Sequence, residues 1–485
     1  MQQLQSTKAA SLWSYFLNIC AIPRPSKHEE KISQWIINWA NEKNIACSQD
    51  KAGNLILSKP ASAGYQDKTP VILQAHLDMV PQKNNDKQHD FLTDPITPII
   101  TDGWLHADDT TLGADNGIGM ASCLAVLGDD TLEHGPLEVL LTSDEETGMT
   151  GAFALEADAL KGKILINTDS EQEGELYVGC AGGINVNINF PYEKMESDPN
   201  NSAYEITLAG LKGGHSGVDI NLQRGNALKC LIDVLINLNA IPFQLAFFEG
   251  GTLRNAIPRE AHAVIVCPPE YQNSLDIVIN TLQIDLQNKF QGSEDNLKLT
   301  IKECETPLSV LTSKSQSTLL ACLHDCENGV FAMDCNFSDV VQTSSNLGVI
   351  VQHSCSPTYF EMEILIRSQI EHEKQLRADK IITHFQKHGG KCVKDGNYPG
   401  WKPNPNSAIY KIMAEQYKSL FKREPETMII HAGLECGLFC DKYPQWDMIS
   451  FGPTIKFPHS PAEKVNIASV DKYWTLLVAT LKAID

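Results

Sequence analysis

The sequence predicts an α/β fold with a mostly parallel sheet and helices on both faces, interrupted by an inserted α+β domain. Three observations predict it. Short uninterrupted apolar runs at 70–74, 137–142 and 163–167 suit strands buried on both faces. They alternate with helical spacing, as in 116–128, which is the pattern of a parallel sheet covered by helices. The pattern then changes near Val186 and returns after Pro399-Gly400-Trp401.

The elements follow in order. A first helix spans 12–22 and is broken by Ile22-Pro23-Arg24-Pro25-Ser26, since proline cannot continue a helix. An amphipathic helix at 28–44 and a short strand at 53–57 precede the central strands. From 204 to 388, strands at 205–211, 261–267, 297–301, 346–352 and 360–366 are separated by helices near 225–237, 275–289 and 371–388. The last part is again α/β, with a helix at 408–421, a strand at 448–452 and a helix at 470–483. The expected organisation is therefore a first domain built from 1–188 and 396–485, with 189–395 inserted. No repeat or low-complexity tract appears.

Charge and cysteine usage bound the function. With 39 Lys and Arg against 60 Asp and Glu, the net charge is −21. A nucleic-acid partner needs a basic face and is not expected. Carboxylate excess does not exclude cations. The 14 cysteines contain no CxxC, and only Cys322/Cys326 and Cys436/Cys440 are closely spaced, so a zinc ribbon or thioredoxin-like site is not expected. No stretch approaches the ~18 apolar residues of a membrane span, and the start lacks a basic segment followed by an apolar one. The expectation is a soluble cytoplasmic protein with reduced, mostly buried thiols.

Five segments place His or carboxylate at strand-to-loop junctions, where open α/β sheets bind ligands. In Gln74-Ala75-His76-Leu77-Asp78, His76 can bind a metal while Asp78 accepts from its other ring nitrogen; a capping turn is the plain alternative. Asp115, in Leu112-Gly113-Ala114-Asp115-Asn116, stands where a helix begins and reads equally as a cap. Ser143-Asp144-Glu145-Glu146 puts three acids after an apolar strand. On extended backbone, adjacent residues point to opposite sides, so one Glu can face a metal and the other a substrate. Without a cation, the three would repel one another. Asp169 follows a strand in the same way, and His459 lies in a loop framed by Pro458 and Pro461. Together, His76, Asp115, Glu146, Asp169 and His459 supply two imidazoles and three carboxylates. If Asp115 bridges, two Zn²⁺ each gain three protein ligands and share a water, an arrangement suited to hydrolysis.

The ordered motifs QAHLDMV, TTLGADNGIGMA, TSDEETGMTGA, INTDSE, GLKGGHSG, GGTLRNAIPRE, HAGLECGLF and FGPTIKFPHSP resemble the dinuclear-zinc metallopeptidase family of carnosinase, peptidase V and carboxypeptidase G. Within it they are most similar to the branch that cleaves Xaa-His dipeptides. The resemblance runs from about 12 to 484. It implies a catalytic domain with an inserted lid and dimerisation domain, a homodimer, and a small dipeptide substrate. It implies hydrolysis of unblocked dipeptides, preferentially Xaa-His and carnosine-like ones, by a metal-bridged water. His76, Asp115 and Asp169 resemble the ligands of one zinc; Asp115, Glu146 and His459 resemble those of the other. Asp78 resembles the residue that orients the first histidine, and Glu145 the general base. His215 resembles a lid histidine that reaches substrate, in dimeric relatives from the partner subunit. Arg367 lies where relatives bind the substrate carboxylate, and a guanidinium fits that fork. Asn255 and Asn346 resemble lid residues that contact substrate, though turn roles fit them equally well.

His431 and Glu435 are four apart and could share a helix face. With HEXXH absent, they are read as lining the site, Glu435 towards the substrate ammonium. Gly213-Gly214-His215-Ser216-Gly217 lacks a Walker ending and does not read as a phosphate loop. Carboxylate-rich sites also accept Co²⁺ or Mn²⁺. The alternatives are a deacylase or broader dipeptidase of the same family, or a metal-stabilised binding protein without turnover.

Overall fold

Strands Leu137–Thr142, Val71–His76, Ile164–Asn167 and Asp447–Ser450 lie side by side and parallel. Every residue of Val71–His76 is buried. Successive side chains of a strand point to opposite faces, so both faces of the sheet are covered there. Leu55–Lys59 and Ala46–Gln49 extend one edge antiparallel. Glu175–Cys180 and Glu426–Ile430 extend the other, giving eight strands in a mixed sheet whose centre is parallel. The computed structural model describes every residue except Met1, Asn85, Asn239, Asn336 and Ser338.

The chain forms two units. The first comprises Met1–Gly179, Trp401–Ile429 and Leu434–Asp485. Its core joins helices Ala10–Cys20, Glu30–Glu42, Ala114–Gly128 and Ile467–Ala483 to the sheet. Residues 114–127 of the third helix are all buried, as expected of a helix apolar on every side. A small antiparallel sheet of Pro98–Thr101, Trp104–Ala107, Lys464–Asn466 and Ile455–Lys456 frames the loop that carries His459.

The second unit comprises Cys180–Gly400 with Ile430–Gly433. Its nine-stranded sheet runs Lys298–Cys304, Ser202–Ala209, Ala261–Cys267, Gln244–Gly250, Val341–His353, Tyr359–Ser368, Gly182–Pro191 and Lys391–Tyr398, with Gly329–Met333 paired to Val341–His353. Helices Ala227–Asn237, Gln272–Lys289, Ser313–Asp325 and Glu371–Lys387 complete its core. Lys391–Tyr398 is legible only in hindsight, because its polar KCVKDGNY sequence suits an exposed edge strand.

Glu173 ties the C-terminal helices to the loop before Glu175–Cys180. It accepts from the Tyr417 hydroxyl (2.7 Å) and pairs with Arg423 (2.8 Å) and Lys472 (3.1 Å). Burial raises its pKa, but these partners outweigh burial and hold it below the usual carboxylate value. Its stabilising effect is therefore present above the unfolded pKa of about 4.3 and is lost as pH falls through the lower folded value. Both cations are substantially exposed, which limits the gain. Glu173→Gln is expected to cost about 1 kcal/mol at pH 7, with the difference vanishing in urea titrations carried to progressively lower pH.

Candidate metal centre

The parallel strands deliver the site residues at their carboxyl ends. His76 ends its strand, Asp169 follows Ile164–Asn167, and Glu145 and Glu146 follow Leu137–Thr142. Asp115 stands in the first turn of Ala114–Gly128, where its φ/ψ of −80° and 115° depart from helix. Gly113 before it has φ 69°, a conformation that favours glycine. These residues converge. His76 Nε2 lies 3.1 Å from Asp115 Oδ1 and 3.5 Å from Asp169 Oδ1. His459 Nε2 lies 3.1 Å from Asp115 Oδ2 and 3.0 Å from Glu146 Oε2. The two oxygens of Asp115 thus face two different histidines. Each set, His76/Asp115/Asp169 and Asp115/Glu146/His459, offers donor atoms within 4.8 Å of one another.

Asp78 works behind them. Its Oδ1 lies 3.2 Å from His76 Nδ1. Its two oxygens also accept from the backbone N–H groups of Glu145 (3.0 Å) and Glu146 (3.2 Å). One buried carboxylate therefore fixes both the first histidine and the turn carrying the two glutamates. Glu145 and Glu146 do not sit on extended backbone as the sequence suggests. Asp144, at φ 50°, turns the chain straight out of the strand into a single helical turn, Glu145–Gly148. Adjacent residues of a helical turn do not face opposite ways, and both glutamates bring an oxygen within 4.8 Å of the His76 ring donor.

Electrostatics match a site built for cations. Desolvation, with Asp115 and Glu146 adding repulsion against the attraction of His76, pushes Asp169 up to about 7. Desolvation likewise holds Glu145 well above its usual value, with Asp169, Glu435 and Glu146 adding to it. Glu146 is raised by desolvation and by Asp115. The Asp115 and Glu146 carboxylates pull His459 up to about 11. Glu146 Oε1 is buried and accepts no hydrogen bond, while the buried Asp169 Oδ1 has His76 Nε2 at 3.5 Å. An unsatisfied buried acceptor costs ~1–3 kcal/mol, and a cation beside it removes that cost. Two imidazoles and three carboxylates fit a pair of divalent ions.

Two residues that sequence reading missed hold the frame. Arg24, 2% exposed, donates to the carbonyl oxygens of Leu77 (3.0 Å), Asp78 and Gly113 (2.6 Å). Glu463, 1% exposed, accepts from the N–H groups of Leu112, Gly113, Ala114 and Asp115 at 2.7, 2.9, 2.7 and 3.2 Å. The only local signal for Arg24 is a charge between two prolines.

Glu435 is buried, and its Oε2 accepts from Gln74 Nε2 (2.6 Å) and Thr142 Oγ1 (3.0 Å) while Oε1 has no partner. It opens helix Glu435–Lys442, and His431 lies before that helix. The pair therefore shares no helix face, because the helix begins only at the second of them.

In the second unit, His431 Nε2 is 2.8 Å from Ser344 Oγ. His215 Nδ1 accepts from the N–H groups of Gly217 (3.2 Å) and Val218 (3.1 Å), and its Nε2 lies 3.4 Å from Arg367 Nη2. Burial and the Arg367 guanidinium push His215 down to about 4, so it is neutral at pH 7. Arg367, 4% exposed, donates to the Tyr398 hydroxyl (2.8 Å), and its Nε has no partner. Asn346 donates to the carbonyl oxygens of Arg254 (3.0 Å) and Ala256 (2.8 Å). It thereby pins the loop that carries the exposed Asn255, whose carbonyl accepts from Ser216 N–H (2.8 Å).

Among the described residues, no helix is long and apolar enough to cross a membrane. A family model for peptidase family M20/M25/M40 matches residues 72–483. The cytosol non-specific dipeptidase of Escherichia coli K12 is 46% identical over 485 residues, spanning 100% of this chain and 99% of that protein. The crystal structure of aminoacylhistidine dipeptidase from Vibrio alginolyticus superposes with a TM-score of 0.90 at 46% identity, covering 100% of this chain and 99% of that one. A tripeptidase from Staphylococcus aureus, 15% identical with a TM-score of 0.61 over 98% of each chain, shares the fold. The chain therefore belongs to peptidase family M20/M25/M40.

Proposed function

We propose that the chain hydrolyses the peptide bond of unblocked dipeptides, Xaa-His and carnosine-like ones among them, at a dinuclear metal centre. The observation that carries this reading is Asp115 dividing its two oxygens between two histidine-carboxylate sets, with Glu145 left outside the bridged pair. His76, Asp115 and Asp169 would hold one ion; Asp115, Glu146 and His459 would hold the other. Zinc suits this donor set, and cobalt or manganese are accepted by carboxylate-rich sites. When bound, the ions supply the Lewis acidity that acidifies water and polarises a carbonyl.

The chain's own residues do the rest. Glu145 takes a proton from the attacking water and passes it to the leaving amine, a task suited to a desolvated carboxylate with a raised pKa. Asp78 keeps the His76 ring oriented. His215, neutral at pH 7 and with N–H groups donating to its Nδ1, would donate from Nε2 to the developing oxyanion. Arg367 receives the substrate carboxylate with nitrogens not already engaged by Tyr398. Asn255 and Asn346 would contact substrate, and Glu435 Oε1, which has no partner, would receive its ammonium. The reading includes a homodimer through the second unit, supported by Ile277 and Ile284, exposed on one face of helix Gln272–Lys289. A cytoplasmic location belongs to the same reading.

The test is a substrate panel measured with defined metals. Unblocked dipeptides, with and without C-terminal His, are expected to be cleaved, and N-acyl amino acids are expected to be left intact. A chelator should reduce turnover to background, and Zn²⁺, Co²⁺ or Mn²⁺ should restore it. Full activity after exhaustive metal removal refutes the dinuclear reading. Preference for N-acyl amino acids makes the chain a deacylase.

A further inference from the structure

We infer that Cys322, His384 and His388 form a further cation site, wholly within the second unit, for a borderline-soft divalent ion such as zinc. Cys322 is fully buried on helix Ser313–Asp325. His384 lies in the last turn of helix Glu371–Lys387, and His388 caps that helix. Four-residue spacing puts the two imidazoles on one helix face, with ring centroids 5.2 Å apart. One donor atom from each of the three residues falls within 4.8 Å of the others.

The distances suit a tetrahedral ion. Cys322 Sγ is 3.4 Å from His384 Nε2. Metal–sulfur and metal–nitrogen bonds of about 2.3 and 2.0–2.1 Å place such a pair roughly 3.5 Å apart. His388 Nδ1 donates to the His384 carbonyl oxygen (2.9 Å). That bond fixes the tautomer and leaves the Nε2 lone pair free, the usual support of a metal-binding histidine. A cavity of about 180 Å³ opens beside His384, lined also by Asp325, Cys326, Glu327, Lys380 and Ile381.

His384 Nε2 also donates to the Cys322 carbonyl oxygen (2.8 Å) at the end of its helix. Helix capping alone accounts for that bond but not for His388 converging on the same sulfur. Burial, with Cys326, Asp325 and Cys392 nearby, pushes the Cys322 thiol up to about 12. Uptake therefore exchanges a proton for the cation. The Cys322 S–H bond breaks, its sulfur pair forms the bond to the metal, and the proton leaves to solvent. The His384 ring proton moves from Nε2 to Nδ1, so that ring stays neutral. The result is a staple between two helices.

The centre in the first unit offers only imidazole and carboxylate donors, so a thiolate signal separates the two sites. Co²⁺ titrated into the full chain is expected to produce a near-ultraviolet thiolate-to-cobalt charge-transfer band that saturates at about one ion per chain. Cys322→Ser should abolish the band. His388→Ala should weaken the cobalt affinity read from it by about tenfold or more, with the far-ultraviolet circular dichroism unchanged. No band in the wild type, or a full band in Cys322→Ser, overturns the site. Should Cys322→Ser fail to fold, His388→Ala decides alone, since unchanged affinity there overturns it equally.

Discussion

Glu145→Gln is expected to lower kcat by about 10²-fold or more while leaving the bound metal nearly unchanged. The substitution keeps size and shape but removes the base. The two sets bridged by Asp115 keep all their ligands, because Glu145 belongs to neither. Its backbone N–H still bonds Asp78, so the turn that presents Glu146 should hold. Paired measurements of turnover and of metal content by elemental analysis check this. Wild-type turnover in a metal-loaded Gln variant removes Glu145 from the mechanism. A collapse of metal content would instead make it a ligand.

The second large effect is expected at Glu463. Its carboxylate accepts from four consecutive backbone N–H groups, ending with that of Asp115. Glu463→Ala leaves those donors buried and unpaired beside Arg24. Each orphaned group costs ~1–3 kcal/mol, and a broken buried charge arrangement typically costs ~3–5 kcal/mol in all. The variant should therefore lose roughly that much stability in chemical denaturation. Metal affinity should fall about 10–100-fold, as when partners behind a ligand are removed. Unchanged affinity would mean that Asp115 is held in place by its ions alone. Glu463→Gln, which keeps an acceptor oxygen, should recover part of both losses.

The strand-end residues were legible because local cues announce them. An apolar run that stops at His76, at Asp144-Glu145-Glu146 or before Asp169 marks both the strand and the edge where ligands gather. The alternation of strand and helix likewise carried the α/β class, while the antiparallel flanks of the sheet had no such cue. Arg24 and Glu463 were not legible, because their partners lie 53 to 351 positions away and neither sits in a patterned segment. The turn at Glu145 and Glu146 was misjudged for a different reason. A single left-handed residue, Asp144, redirects the chain, and Asp is only weakly biased towards that conformation. His431 and Glu435 show the limit of spacing arguments: four positions mean one face only if a helix spans both.

Asp115 joins histidines that stand at opposite ends of the chain, His76 and His459. During synthesis, His76, Asp115, Glu146 and Asp169 are made before the second unit begins at Cys180. His459 and Glu463 emerge only after all of it. Segments made earlier usually fold first, but the first unit also draws on Trp401–Ile429 and Leu434–Asp485, which are made after the bulk of the second unit. Its half of the sheet must stay competent while more than two hundred intervening residues are made and folded. Under the proposed function, the ions would find their full ligand set only once His459 has been made, which couples metal acquisition to synthesis of the segment that follows the second unit.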